Sequence, residues 1–256
     1  MKLLIIIFSI IAFVLCLLVG MMGGDGHRNS PQPSSTPGQQ QEITSTPTPN
    51  HSPTAIINSN QRNILVIFTQ PFSEPSPRLL GVWLAVYLND NPVVTLVNLY
   101  PASQPADPAP ARRLAESFSL TEKGTLSPAF WESIKDFNVP ITGYMMVDQI
   151  GMASAVDIVN GLDMQTGAGS LNGQNALAAL RDPNEDPFQA LVWETFYIEG
   201  MCAKLGALPK QVNWITFLTG QVPDHLRTNL PLDLFVQDWK MLVQSPAPIS
   251  CKLPIR

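Results

Sequence analysis

Charge is what this sequence has least of. Aspartate, glutamate, lysine and arginine make up 14% of its 256 residues, about half the usual share for a soluble globular domain. The net charge is -5 and no basic run occurs, which excludes a nucleic-acid-binding surface. Cysteine and histidine are equally sparse, with three of each. His27, His51 and His225 are scattered, and none lies near a cysteine at a ligand spacing, so neither a metal nor a cofactor is expected. Serine, cysteine and histidine are not arranged as a nucleophilic triad. Gly167, Gly169 and Gly173 lack both the spacing and the preceding strand of a dinucleotide loop.

Two features are abundant instead. Residues 3–22, LLIIIFSIIAFVLCLLVGMM, carry no charge, and twenty helical residues span about 30 Å, the thickness of a bilayer's hydrocarbon core. No good cleavage site follows, which favours an uncleaved anchor over a signal peptide. Lys2 places the N-terminus on the cytoplasmic side, so the rest is expected to be extracytoplasmic on a single-pass cell-membrane protein. Cys16 lies in mid-span after Leu15 and is read as an ordinary membrane residue. Proline is the second excess, at 24 residues, about double the average frequency. Much of it falls in 23–60, a Ser/Thr/Pro-rich stretch too polar to offset chain entropy and therefore a disordered spacer. The expected organisation is an anchor at 1–22, a linker at 23–60 and a folded domain at 61–256.

Within that domain NILVIFT (63–69), GVWLAVYL (81–88), PVVTLVNLY (92–100) and ITGYMMVD (141–148) predict strands, the second and third joined through Asn89-Asp90-Asn91 as a hairpin. Helices are predicted at 111–120, 127–137, 149–161 and 171–181, then a long one to about Leu205 and a final unit over 212–243. Ser127 before Pro128 and Asp148 after its strand are helix caps, and Gly161 is a helix stop. Strands alternating with helices give an α/β fold with a central β-sheet covered by helices, and the hairpin makes the sheet mixed. Cys202 and Cys251 are an even pair outside the membrane, read either as one disulfide or as two buried thiols. Trp131, Trp193 and Trp214 suit a core or a lipid pocket equally.

Four segments in order carry a family resemblance: NILVIFT, VPITGYMMVDQIGMASAVDIVNGLDM (139–164), LNGQNALAALR (171–181) and LRTNLPLDLFVQDWKML (226–242). Together they resemble the LytR-CpsA-Psr family of envelope proteins. That resemblance implies a three-layer domain behind a transmembrane helix, facing the cell wall. It implies partners too: a bilayer through residues 3–22, and a polyprenyl-linked lipid or cell-wall glycopolymer. The family's enzymes move a glycopolymer from polyprenyl pyrophosphate to the wall, with arginines and an aspartate-held divalent metal on the pyrophosphate.

This chain departs from that pattern where the chemistry sits. Leu80 stands at the place of one aspartate, and Tyr100, Pro101 and Ala102 replace an arginine–aspartate corner. Arg181 keeps the first arginine after the matched helix, but Pro183 replaces the second, and Ala190 and Trp193 replace two more. One arginine on a transferring phosphate is worth about 10³–10⁵ in rate, so losing several together predicts a catalytically degenerate member. Arg78, Arg181 and Asp186 are the candidates for a residual phosphate-binding site, with Arg112 and Arg113 as further cations if the site has moved. Set against that, the weightier reading has Arg181 closing its helix against the dipole and Asp186 in a solvated loop. The expected function is binding of lipid, polymer or an active partner in envelope assembly. The alternative is an active Mg²⁺-dependent phosphotransferase.

Overall fold

The computed structural model describes residues 60–102, 109–163, 169–207, 213–245 and 247–254. The predicted anchor, and the linker apart from Asn60, lie outside them, as does Gly167. No helix among the described residues is long and apolar enough to cross a membrane.

Six strands form one mixed sheet. At its centre β1 (Gln61–Thr69) pairs antiparallel with β2 (Leu79–Leu88) and parallel with β4 (Gly143–Asp148). The expected hairpin is β2 with β3 (Val93–Tyr100). Two short edge strands, β7 (Leu226–Thr228) beside β4 and β8 (Ser250–Lys252) beside β3, complete the sheet.

Side chains alternate across a strand, and here both faces are apolar because both are covered. Leu65, Ile67, Val82 and Leu84 face one core with Ala111 and Leu114 of α1 (Ala109–Ser117) and Phe130 and Ile134 of α2 (Pro128–Lys135). Phe68, Trp83, Ala85 and Leu96 face the other. That second core is closed by α3 (Gln149–Ile158), α4 (Gly173–Ala179) and the 21-residue α5 (Pro187–Ala207), through Met152, Val156, Ala176, Tyr197 and Ile198. The result is helix, sheet, helix: three layers.

Local chemistry sets the helix ends. Ser127 caps α2 by accepting from Phe130 N, with Pro128 at the first turn. Asp148 caps α3 through Gly151 N at 2.8 Å and also accepts from Phe72 N and pairs with His225 Nδ1 at 3.1 Å each. Several elements are shorter than the sequence pattern suggests. α3 stops at Ile158, and the chain then turns through Asn160 and Gly161, both at positive φ. The helix expected over 171–181 is only Gly173–Ala179. Leu171 is taken by a two-residue ribbon, β5 (Leu162–Asp163) with β6 (Ser170–Leu171), Asn172 is the cap, and Leu180 is already extended at ψ 145°. Helix α1 ends at Ser117 rather than 120 because Leu120 bridges to Leu126. The final unit comprises α6 (Trp214–Gln221), β7 and α7 (Leu232–Gln244).

Candidate functional site

Two cavities of opposite character lie on either side of β2. The smaller begins where β1 ends. Gln70 N donates to Arg78 O at 3.0 Å, and Arg78 N to Gln70 Oε1 at 3.2 Å, so the loop between them closes on itself and returns Arg78 beside Phe68. Helix α3 adds Gln149 and Met152, the exit from α4 adds Leu180, Arg181 and Asp182, and α5 adds Glu194. These groups enclose about 220 Å³.

Its charges are few and partly spent. Arg78 Nη1 lies 2.8 Å from Asp182 Oδ2. Arg181 reaches back to Ala178 O at 3.4 Å, with its guanidinium carbon 6.0 Å from the centre of the Trp193 ring, a cation–π distance. Glu194 is 3% exposed, and Trp83 Nε1 donates to its Oε2 at 2.8 Å. Burial pushes the Glu194 carboxyl well above the usual carboxylate range, while the Trp83 hydrogen bond pulls weakly the other way.

The second cavity is apolar and larger, about 630 Å³, between β2, β3, the start of α1 and α5. Leu99, Ala102, Phe137, Leu191, Phe196 and Leu253 are among its walls, with Asn98, Thr195 and Glu199 as polar points. Phe188, 54% exposed, is also in its lining. Nearby, a disulfide joins Cys202 of α5 to Cys251 of β8, with Cα atoms 5.9 Å apart, and so fastens the segment that carries Leu253.

Of the residues singled out from the sequence, Arg78 and Arg181 come together in the polar pocket. Asp186 does not line it; its Oδ1 accepts from Gln189 N at the exposed start of α5. Asp182, not singled out, takes the carboxylate position instead. Leu80 stands in the pocket wall inside β2 rather than ahead of it. Ala190 is fully buried, and Trp193 lies against Arg181 and Phe196. Arg112 pairs with Glu116 and Arg113 with Asp136, away from the pocket lining. Glu194 is the residue that sequence reasoning missed. The available signals were a single acid among the apolar residues of ALVWETF and a glycine, Gly81, inside a strand.

The donor set does not fit the divalent metal that the family resemblance implies. A hard cation needs several oxygen ligands, carboxylates first. Of the two pocket carboxyls, one is held by Arg78 and the other is driven towards its neutral form by burial. Among the described residues no group of three or more His, Cys, Asp or Glu is placed to hold a metal ion.

No family model and no curated protein matches this sequence. Solved structures do match. The transcriptional regulator yvhJ from Bacillus subtilis is 13% identical over 78% of this chain and 84% of its own, with a TM-score of 0.54. TagV from B. subtilis is 12% identical over 78% and 86%, at 0.52. TagT bound to LIIa-WTA is 12% identical over 80% and 84%, also at 0.52. At such identities the likeness is one of fold: this chain has the LytR-CpsA-Psr-like fold.

Proposed function

We propose that this chain is a membrane-anchored, extracytoplasmic binding protein of cell-envelope assembly that holds a polyprenyl-linked lipid without transferring its glycopolymer. The observation that carries the reading is the pairing of an intact apolar cavity with a depleted polar one. A cavity of about 630 Å³ lies in the middle of the range used by small-molecule sites, and it is lined mainly by the aliphatic and aromatic groups that a lipid tail requires. Beside it, the pocket that would receive a pyrophosphate offers two arginines, one already paired with Asp182. Phosphoryl transfer depends on positioning and on neutralising charge, and this pocket supplies little of the second. TagT is a protein of the same fold with a bound ligand, LIIa-WTA, which supports a lipid- or polymer-linked ligand for the fold. The uncharged run at 3–22 would provide the anchor, and 23–60 the reach from the membrane.

The second reading is an active phosphotransferase, and one observation favours it: Arg78 and Arg181, 103 positions apart in sequence, converge on one pocket. Against it stand Asp182, which offsets one of those charges, and the lack of a metal-ligand group among the described residues.

Retention of lipid tests the binding reading. The full chain in detergent is mixed with a polyprenyl phosphate, separated from free lipid and weighed by native mass spectrometry. One lipid per chain is the expected result, and a chain that emerges empty contradicts the reading.

A further inference from the structure

A further hollow, about 500 Å³, runs between α5 and the segment that carries β8. Glu199, Cys202, Ala203 and Gly206 line it from one face of the helix, at three- and four-residue spacing. Residues 248–251 and Leu253 line it from the other side. Glycine is needed at 206, because a Cβ there would lie 2.6 Å from Ile249 O. The segment is otherwise lightly held. β8 is three residues long, ends the sheet, and has β3 as its strand neighbour. The bond from Cys251 to Cys202 is its covalent tie to α5.

Access decides whether a disulfide is a staple or a reagent, since exchange needs a thiolate to reach a sulfur. Here both cysteines are half-buried and open on the hollow, whose rim includes the exposed Ala203, Pro248 and Ser250. The reagent has to be a dithiol. A single thiol would leave a mixed disulfide beside the freed cysteine, and the contacts at Gly206 and β3 hold that cysteine close enough to reclose the bond. A second thiol on the reagent removes the mixed disulfide first. A protein dithiol is favoured over a small one, because the outer edge of β8 has no strand beside it among the described residues. That edge can pair with an extended segment next to the attacking sulfur.

We propose that Cys202–Cys251 is a thiol–disulfide exchange site for a protein dithiol, and that its opening releases one wall of the apolar cavity. One thiolate of the partner attacks a sulfur of the pair. The S–S bond breaks, and its electron pair leaves on the other cysteine, which takes a proton from water. The partner's second thiolate then attacks the mixed disulfide. The partner ends as a disulfide, oxidised by two electrons, and Cys202 and Cys251 end as thiols. Leu253, two residues beyond Cys251, lines both the hollow and the apolar cavity, as does Glu199. The exchange stands without the lipid reading, and only its effect on a bound tail rests on that reading. By linkage, the factor that opening takes from lipid affinity is the factor that bound lipid takes from opening.

The test uses the full chain in detergent with Cys16→Ser, which leaves Cys202 and Cys251 as its cysteines. Reduced thioredoxin, dithiothreitol and 2-mercaptoethanol are compared at equal thiol concentration. Opening is followed by trapping with a maleimide and weighing the intact chain. Dithiothreitol should open the native bond at a rate within about tenfold of that in urea, since access needs no unfolding. Thioredoxin should be at least about tenfold faster than dithiothreitol, and 2-mercaptoethanol should leave most chains closed at equilibrium. Ala203→Trp, at an exposed helix position, fills the hollow and should slow thioredoxin about tenfold with an unchanged melting temperature. Hydrogen exchange reads the release without any lipid. Amides of residues 249–252 and 93–95 should exchange at least about tenfold faster once the bond is open, while those of β1 stay unchanged. A native rate about a thousandfold below the rate in urea would mean that opening requires unfolding, and would overturn the proposal. So would equal opening by mono- and dithiols, thioredoxin no faster than dithiothreitol, an Ala203→Trp rate equal to wild type, or amide exchange unmoved by reduction. Polyprenyl phosphate should slow opening, and retained lipid that leaves the rate unchanged overturns the release of the cavity wall. A chain that retains no lipid contradicts lipid binding alone, and the rates still decide the exchange site.

Discussion

Trp83 and Glu194 join β2 to α5 through one hydrogen bond, Nε1 to Oε2 at 2.8 Å, and form the partition between two unlike cavities. Trp83 lines the apolar one and Glu194 the polar one. The indole serves both sides, since its ring meets the apolar space and its single N–H is spent on the acid.

The pair makes stability depend on pH in a defined direction. Glu194 has a folded pKa above its ordinary value because burial disfavours the carboxylate. Between the ordinary glutamate range and that raised value, the folded state holds a proton that the unfolded state has released. Its stabilisation is therefore complete at acid pH and is lost as pH rises through the folded pKa. Glu194→Gln does not titrate, so the melting temperature of wild type should fall relative to the variant as pH increases. A constant difference across the range contradicts the assignment.

Gly81 is required by the same contact. A Cβ added there would collide with the Glu194 carboxyl, with Cδ and Oε1 both at 2.7 Å. Gly81→Ala should cost about 1–3 kcal/mol, the usual penalty of overpacking, measured by urea unfolding. In a Glu194→Ala background most of that cost should vanish, because contacting residues are not additive. Equal costs in both backgrounds would place the clash elsewhere.

The disulfide contributes to stability and to the cavity together. Cys202 and Cys251 are 49 positions apart, and closing such a loop stabilises by about 4 kcal/mol in the chain-entropy model. Reductant should lower the urea midpoint and, by freeing the segment with Leu253, reduce lipid retention. A midpoint that does not move on full reduction rules this out.

Phe188 separates folding from binding. It is half-exposed in the lining of the apolar cavity, so Phe188→Ala should change stability by no more than about 0.5 kcal/mol. Covering an aromatic ring with a ligand is worth enough to make lipid binding about tenfold weaker in the variant. Normal retention there, measured by competition between two lipid masses, contradicts the placement of the tail.

Much of the fold was legible because it rests on long, regular signals. The four main strands are apolar runs that must be buried on both faces, and Ser127 and Asp148 announced the helices they cap. The short pieces were not legible. A strand such as Ser250-Cys251-Lys252 has no periodicity to read, and it forms only because β3 offers it an edge. The ends of α4 were lost for a related reason: Leu171 and Leu180 suit a helix, but one is recruited by a ribbon and the other by the turn towards Arg181. At the site, Arg181 could be named because it closes a segment that carries the family resemblance, and Arg78 because cations are few. Asp182 and Glu194 could not, since an acid two residues before Asn184 or in mid-helix normally faces water. Only the tertiary contacts with Arg78, Gly81 and Trp83 give those two carboxyls their roles.

Binding without turnover is decided by the mass of what the protein holds. The full chain, loaded with a polyprenyl pyrophosphate in the presence of Mg²⁺, is weighed by native mass spectrometry after a long incubation. The predicted spectrum shows the intact pyrophosphate lipid on the protein. Lipid monophosphate in its place would mean that the pyrophosphate had been cleaved, and the loss of catalysis inferred from Leu80, Ala190 and Trp193 would be wrong.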